Sequence, residues 1–379
     1  RRPLSNASRL LPRREAEGVM QRFDTPVAIF LFNRPDRVAE LVEALRPSMP
    51  RRIFAIADGP RAGHDADRDR CALARAALDS IDWPCEIVRE HSSTNLGCDE
   101  RIERGLDWLF ERVERAIILE DDIRPAPRFL PWAASMLDRY GDDEDFSIAS
   151  GRNTLGAWGH RDADHLRARR GSIWGWATTA RSWRRSRTLD LAAFDPGEDG
   201  CFGLEDLDPL LAEHFRTIVA EAGHHPRLAW DTSFSVRTAL DGRLATVSSV
   251  NLIANAGIGG DATRTTFEGD FVARLPALDH PPGHGAVPSE LDPRYDRWSL
   301  LAELLGRCVK PQAAIRLAQL VKARPDAPIE ASARLHLAPF LHPKETLEIL
   351  DRLSDLGLGS DRLDAMRSAL RRLADGATA

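Results

Sequence analysis

From Val27 onward, short wholly apolar runs alternate with stretches whose apolar residues recur three and four positions apart. Val27 to Phe32 (VAIFLF) has strand length and stops at Asn33-Arg34-Pro35; Val38, Leu41, Val42 and Leu45 then follow at helical spacing. The unit recurs. Ile53 to Ala57 (IFAIA) predicts a strand ending at Asp58-Gly59-Pro60, a helical stretch carries Leu73, Ala77 and Leu78, and Cys85 to Val88 predicts a third strand. Thr94-Asn95-Leu96-Gly97 reads as a turn opening a helix with Ile102, Leu106, Leu109, Phe110 and Val113 on one face. A fourth strand, Ala116 to Leu119, runs into Glu120-Asp121-Asp122. Strands without alternation that are interleaved with helices predict an α/β fold, with a mostly parallel sheet and helices on both faces.

Beyond Asp122 the pattern loosens. Phe129 to Tyr140 predicts a helix, Phe146 to Ala149 fits a strand, and Gly151 to Arg170 reads as polar loop. Ile173-Trp174-Gly175-Trp176 reads as extended, which would set both indoles on one side. Pro276 to Pro293 is rich in Pro and Gly, and two leucine stripes, Leu347 to Leu356 and Leu363 to Leu373, have helical spacing. The expected organisation is an N-terminal arm over 1–25, an α/β domain over 26–275, a linker over 276–295 and a small all-α region over 296–379.

Composition narrows the class. With 379 residues, 43% of them hydrophobic, the chain can bury a full core, and no stretch approaches the roughly 20 apolar residues of a membrane span. A net charge of −6 argues against nucleic-acid binding. Five cysteines, never spaced Cys-x-x-Cys, point away from disulfides and zinc, and residues 1 to 24 carry no apolar run of signal-peptide length. The expected location is cytoplasmic, with a peripheral place at the inner membrane face left open.

In an open parallel sheet, ligands bind beyond the carboxyl ends of the strands, where loops and helix N-termini converge. The candidates there are Asn33, Arg34, Asp58, Asn95, Gly97 and Glu120 to Asp122. Three consecutive carboxylates repel one another and lose solvation on burial, so they face water or hold a cation. Strand alternation would put Glu120 and Asp122 on one side and Asp121 on the other. An ion on Asp122 would then have few protein ligands and keep sites open for phosphate oxygens.

The combination FNRPDR (Phe32 to Arg37), ADGPR (Ala57 to Arg61), NLGCDERIERGLDWLF (Asn95 to Phe110) and IILEDDIRPAPRF (Ile117 to Phe129) resembles GT-A-fold nucleotide-sugar glycosyltransferases. WGWAT (Trp174 to Thr178), Trp230-Asp231 and NLIANAGIGGDATRT (Asn251 to Thr265) extend the resemblance to about two thirds of the chain. It is similar in particular to bacterial sugar transferases of the family-2 or hemolytic-protein-like kind, and more distantly to N-acetylglucosaminyltransferase I.

The resemblance implies a GT-A (Rossmann-like) fold and a metal-assisted, inverting transfer of a sugar from a nucleotide diphosphate to a glycan or other hydroxyl acceptor. Uridine is the mildly preferred base. Glu120 to Asp122 would be a DxD-type motif, with Asp122 contacting Mn²⁺ or Mg²⁺ across the donor phosphates and Asp121 near the ribose. Asn33, Arg34 and Asp58 would line the nucleoside pocket beside Asn95, and Gly97 would let backbone pass close to the nucleotide. Asp231 would be the base, with Glu205 or Asp206 as competitor. Trp174 and Trp176 would form a sugar platform, although core packing competes. Arg264, standing where such enzymes commonly have a His, would pair with the diphosphate. His224 and His225 read as loop residues. Two alternatives stay open: a sugar-phosphate nucleotidylyltransferase, for which FNRPDR lacks the glycine-rich basic loop, and a non-catalytic binding protein on a transferase scaffold. The C-terminal helices could recruit a partner or pair protomers.

Overall fold

The computed structural model describes residues 23–158, 163–188, 207, 209–222, 228–256, 275–279 and 291–306, and isolated positions from 344 onward. Most of the expected N-terminal arm, linker and C-terminal region, together with Glu205, Asp206, His224, His225 and Arg264, lies outside the described residues.

The first half consists of β1 (Val27–Leu31), α1 (Pro35–Leu45), β2 (Arg52–Ala57), α2 (Asp65–Ala76), β3 (Glu86–His91), α3 (Cys98–Phe110), β4 (Arg115–Glu120), β5 (Ile123–Pro125) and α4 (Phe129–Tyr140). It continues with β6 (Phe146–Ser150), β7 (His165–Ala168), β8 (Trp176–Thr179), α5 (Ala180–Thr188), α6 (Pro209–Ala222), α7 (Trp230–Leu240), β9 (Leu244–Ser248), β10 (Ile253–Asn255) and α8 (Pro293–Gly306). Eight strands form one sheet in the order β3-β2-β1-β4-β8-β6-β9-β7, and β10 pairs with β5 in a two-stranded ribbon. β3, β2, β1 and β4 are mutually parallel, and β8 runs antiparallel between β4 and β6. The α/β layering implied by the GT-A resemblance is present.

The apolar runs become central strands because both faces are covered. Val27, Ile29 and Leu31 enter a cluster with α1 and α4, whereas Ala28 and Phe30 enter one with α3, α5 and α7. On α1, Val38, Leu41, Val42 and Leu45 are fully buried. Each such side chain contributes about 1.5–3 kcal/mol relative to exposure. Proline sits at the start of this helix, where its missing N–H has no partner to lose.

One expectation fails here. Within Gly151 to Arg170, read as loop, β7 pairs antiparallel with β9 and is buried throughout. Its sequence, HLRA, hides from a hydrophobicity reading because two of its four residues are polar and find partners in place. Tyr140 Oη and His165 Nε2 lie 2.7 Å apart, and Arg167 Nη2 donates to Asp145 at 3.0 Å. α8 begins inside the stretch read as linker and packs on β7. The Asp296 carboxylate accepts the Arg169 and Arg170 amides at 3.0 and 2.9 Å. Burial pushes that carboxyl up to about 7 against the pull of those amides and of the two guanidinium charges.

Candidate active site

At the carboxyl end of β1 the chain turns across the sheet rim through Phe32, Asn33 and Arg34. Arg34 Nη1 donates to Asp121 Oδ1 at 2.9 Å and to Asp122 Oδ2 at 3.1 Å, and Phe32 N donates to Asp121 Oδ2 at 3.1 Å. This corrects the alternation expected of the acidic triplet. β4 stops at Glu120, and residues 121 and 122 form a turn, so both aspartates meet one guanidinium. Glu120 keeps the strand register opposite Phe30 and so shares the face of Ile118 and Trp176. Burial, reinforced by the Asp122 charge, pushes the Asp121 carboxyl up to about 6 while Arg34 pulls against it. For Arg34, burial opposes ionisation, yet the two aspartates outweigh it and raise the guanidinium. One cation therefore serves more negative charge than it neutralises. Asp121 is 4% exposed, whereas the Asp122 side chain is 29% exposed and faces solvent.

At the end of β2, Asp58 is buried with its acceptor positions filled from within the chain. Oδ1 accepts Gly59 N at 2.8 Å and Leu96 N at 2.9 Å; Oδ2 accepts Asn95 Nδ2 at 2.9 Å and Gly97 N at 3.1 Å. Asp58 thus clamps the 95–97 turn, a role that its expected place as a nucleoside contact does not include. The Asn95 amide also reaches Gly59 O at 3.0 Å. Gly97 is required for its φ of +79° at the start of α3; a Cβ there would meet nothing within 4 Å. Asn33 Nδ2 donates to Asp67 Oδ1 at 2.8 Å. Asp67 is held well below the usual carboxylate range, chiefly by its hydrogen bonds from Arg61. Pro60, Arg61, His64, Arg68, Thr94 and Asn95 line an open cavity of about 330 Å³ beside these strand ends.

Asp231 lies in the first turn of α7, half-buried, and its Oδ1 accepts Thr232 N at 2.8 Å. Two contacts fix that turn at the same rim. Asp99, in the first turn of α3, accepts Trp230 N at 3.0 Å, and the Trp230 indole stacks on Trp176 with centroids 6.2 Å apart. Trp176 pairs with Ile118, two residues before Glu120. Trp176 is 1% exposed, so it is a core residue and no sugar platform. The expectation that both indoles share a side also fails. Gly175 has φ +65°, which breaks the extended alternation, and Trp174 packs in the α1–α4 cluster while Trp176 packs in the α3–α7 cluster. Trp174 remains half-buried, with the Arg152 guanidinium 4.7 Å from its ring centre.

Among the described residues, no three or more His, Cys, Asp or Glu gather as a metal cage. The donor set fits a different arrangement. Asp122 offers a hard, solvent-facing carboxylate in a turn with surplus negative charge, which suits a divalent ion that takes its remaining ligands from phosphate and water. The β5–β10 ribbon borders this point, since Ala256 N donates to Asp122 O at 2.7 Å. Sequence patterning missed Asp67 and Asp99. An acid in the first turn of α3 is a visible signal, but its partner lies 131 residues away.

No protein-family model matches the chain, and no curated protein matches it. Among solved structures it is similar to the mannosyltransferase PcManGT from Pyrobaculum calidifontis in complex with GDP-Man and Mn²⁺. That likeness has 13% identity, 94% of this chain and 88% of that one covered, and a TM-score of 0.38. It is also similar to a UDP-glucose pyrophosphorylase complexed with UDP-glucose, with 8% identity, 60% and 91% coverage and a TM-score of 0.30. A third is the UTP-bound UGPase from Acinetobacter baumannii, with 8% identity, 61% and 88% coverage and a TM-score of 0.32. Likenesses this loose assign no family and no activity. Among the described residues no helix is long and apolar enough to cross a membrane.

Proposed function

We propose that the protein is a glycosyltransferase that moves a sugar from a nucleotide diphosphate to an acceptor hydroxyl by direct displacement. The observation that carries this reading is the convergence, at one sheet rim, of an acidic turn with one solvent-facing carboxylate and a helix N-terminus bearing another. Asp122 would hold a Mn²⁺ or Mg²⁺ ion, which when bound neutralises the charge on a departing diphosphate. Arg34 sits beside it as a cation able to donate to phosphate oxygens. Glu120 and Asp121 would border the donor, Asn95 lines the cavity that would take a nucleoside, and Asn33 would approach it from the end of β1. Trp174 would offer an aromatic edge to a sugar, and Arg264, which lies outside the described residues, is carried over from the sequence as a further cation for the diphosphate.

Asp231 accepts the proton of the acceptor hydroxyl as that oxygen attacks the anomeric carbon. The new carbon–oxygen bond forms while the bond to the diphosphate breaks, and the nucleoside diphosphate leaves, which inverts the anomeric centre. The half-buried α7 turn gives the carboxylate a fixed direction through its Thr232 N bond, and the Asp99 cap fixes the turn itself.

The test is turnover of a nucleotide-sugar panel with Mn²⁺ by wild type and Asp231→Asn. The variant is expected to lose about 10²- to 10⁴-fold in turnover while donor binding survives. Near-normal turnover would remove Asp231 from the role. Release of pyrophosphate from a nucleoside triphosphate, in place of nucleoside diphosphate from a nucleotide sugar, would identify a nucleotidylyltransferase instead.

A further inference from the structure

Arg34 does more than line the rim. Among the described residues it is the one cation that the ion pairs draw onto both aspartates of the acidic turn, and the two are unequal partners. Asp121 is buried, keeps a second bond from Phe32 N and has no ready access to water. Asp122 is solvent-facing, and its bond from Arg34 is the longer of the two, 3.1 against 2.9 Å. A guanidinium carries five N–H donors in a rigid fork, so it can stay anchored on one carboxylate while it changes its other partner.

We infer that Arg34 is a resident counter-ion that competes with the divalent cation for Asp122 and exchanges onto the donor's diphosphate when that cation binds. Resting on the reading given above, this assigns Arg34 a role in the order of binding. Without nucleotide, releasing Arg34 from Asp122 strands part of its charge, so a divalent ion binds weakly. With a nucleoside diphosphate present, the phosphate oxygens accept the freed N–H donors and supply the ion's missing ligands, and both bind together. Asp121 stays paired throughout, which avoids an uncompensated buried carboxylate.

The exchange makes an unusual demand: removing a basic residue should tighten metal binding. Free Mn²⁺ is followed by its electron paramagnetic resonance signal as wild type, Arg34→Gln and Arg34→Lys are titrated without nucleotide. Binding of UDP and of GDP at saturating Mn²⁺ is then measured by calorimetry. For one part-exposed charge, Arg34→Gln is expected to bind Mn²⁺ alone about tenfold more tightly, and whichever diphosphate the wild type takes about tenfold more weakly. Both bonds leave the single nitrogen Nη1, so Arg34→Lys keeps the charge and the bridge but lacks the guanidinium's further N–H donors for a phosphate; it should fall between, and it carries the test if the Gln variant does not fold. Mn²⁺ affinity in the variants equal to or weaker than wild type overturns the exchange, as does the absence of Mn²⁺ binding to any of them. Neither measurement depends on sugar transfer, so a failed turnover assay alongside tightened Mn²⁺ binding would sink the transferase reading and leave the exchange standing.

Discussion

Replacing Asp58 separates two roles that a carboxylate at a strand end can have. In this structure it holds the 95–97 turn through the Leu96 and Gly97 amides and the Asn95 side chain, and it also accepts its neighbour Gly59 N, all at 2.8–3.1 Å. A hydrogen bond to a charged group contributes about 1.5–3 kcal/mol net, and water can recover part of that at a half-exposed turn. Asp58→Ala is therefore expected to cost about 3 kcal/mol, well short of the full loss of four separate bonds. Asp58→Asn preserves shape but aims an amide donor at two N–H groups, and it should cost nearly as much. Urea unfolding reads the stability, and amide hydrogen exchange at Leu96 and Gly97 reads the turn itself, which should open faster in both variants. If Asp58→Asn stays within about 0.5 kcal/mol of wild type with unchanged exchange, yet nucleoside diphosphate affinity collapses, the clamp is wrong and Asp58 belongs to the ligand.

Other consequences follow from the same geometry. Asp99→Ala removes the cap on Trp230 N; it should cost about 1 kcal/mol in unfolding and lower turnover more than it changes donor affinity, and a purely proportional loss of both would detach the cap from Asp231. Gly175→Ala forces a Cβ to within 2.3 Å of Ile253 Cδ1 at a φ of +65°; thermal unfolding should show a loss of about 2 kcal/mol or more, and a neutral result would contradict the packing of β10 against this turn. Because burial raises the Asp296 carboxyl to about 7, its contribution to stability is present below about pH 4 and is lost as pH climbs toward 7, on the order of 4 kcal/mol at most. Asp296→Asn cannot ionise and should flatten that slope in unfolding measured across pH 4 to 8; identical slopes would refute it.

The strands and helices that position the rim are legible from local pattern. The runs VAIFL and IFAIA and the stripes of α1 and α3 carry their own signal, because each central strand is buried on both faces and each helix on one. The carboxyl-end rule brings Asn33, Arg34 and the acidic triplet to one edge, as found. What local pattern does not carry is pairing at long range. Asp58 reads as a rim acid open to a ligand until its partners 37 to 39 residues later are placed on it. β7 is half polar in sequence yet buried, because Tyr140 on α4 and Asp145 in the turn before β6 pair with His165 and Arg167 from elsewhere in the chain. Trp174 and Trp176 part company because one glycine takes a positive φ, a choice that spacing alone does not reveal.

The central claim is that Asp122 joins a divalent ion to a nucleoside diphosphate at this rim. Calorimetric titration of UDP and GDP into wild type and Asp122→Ala, each with and without Mn²⁺, tests it most directly. Wild type should bind at least one of them more tightly with Mn²⁺, and Asp122→Ala should bind equally weakly in both conditions. Equal affinity for the wild type with and without the ion, or an Mn²⁺ effect that survives in Asp122→Ala, would contradict the account.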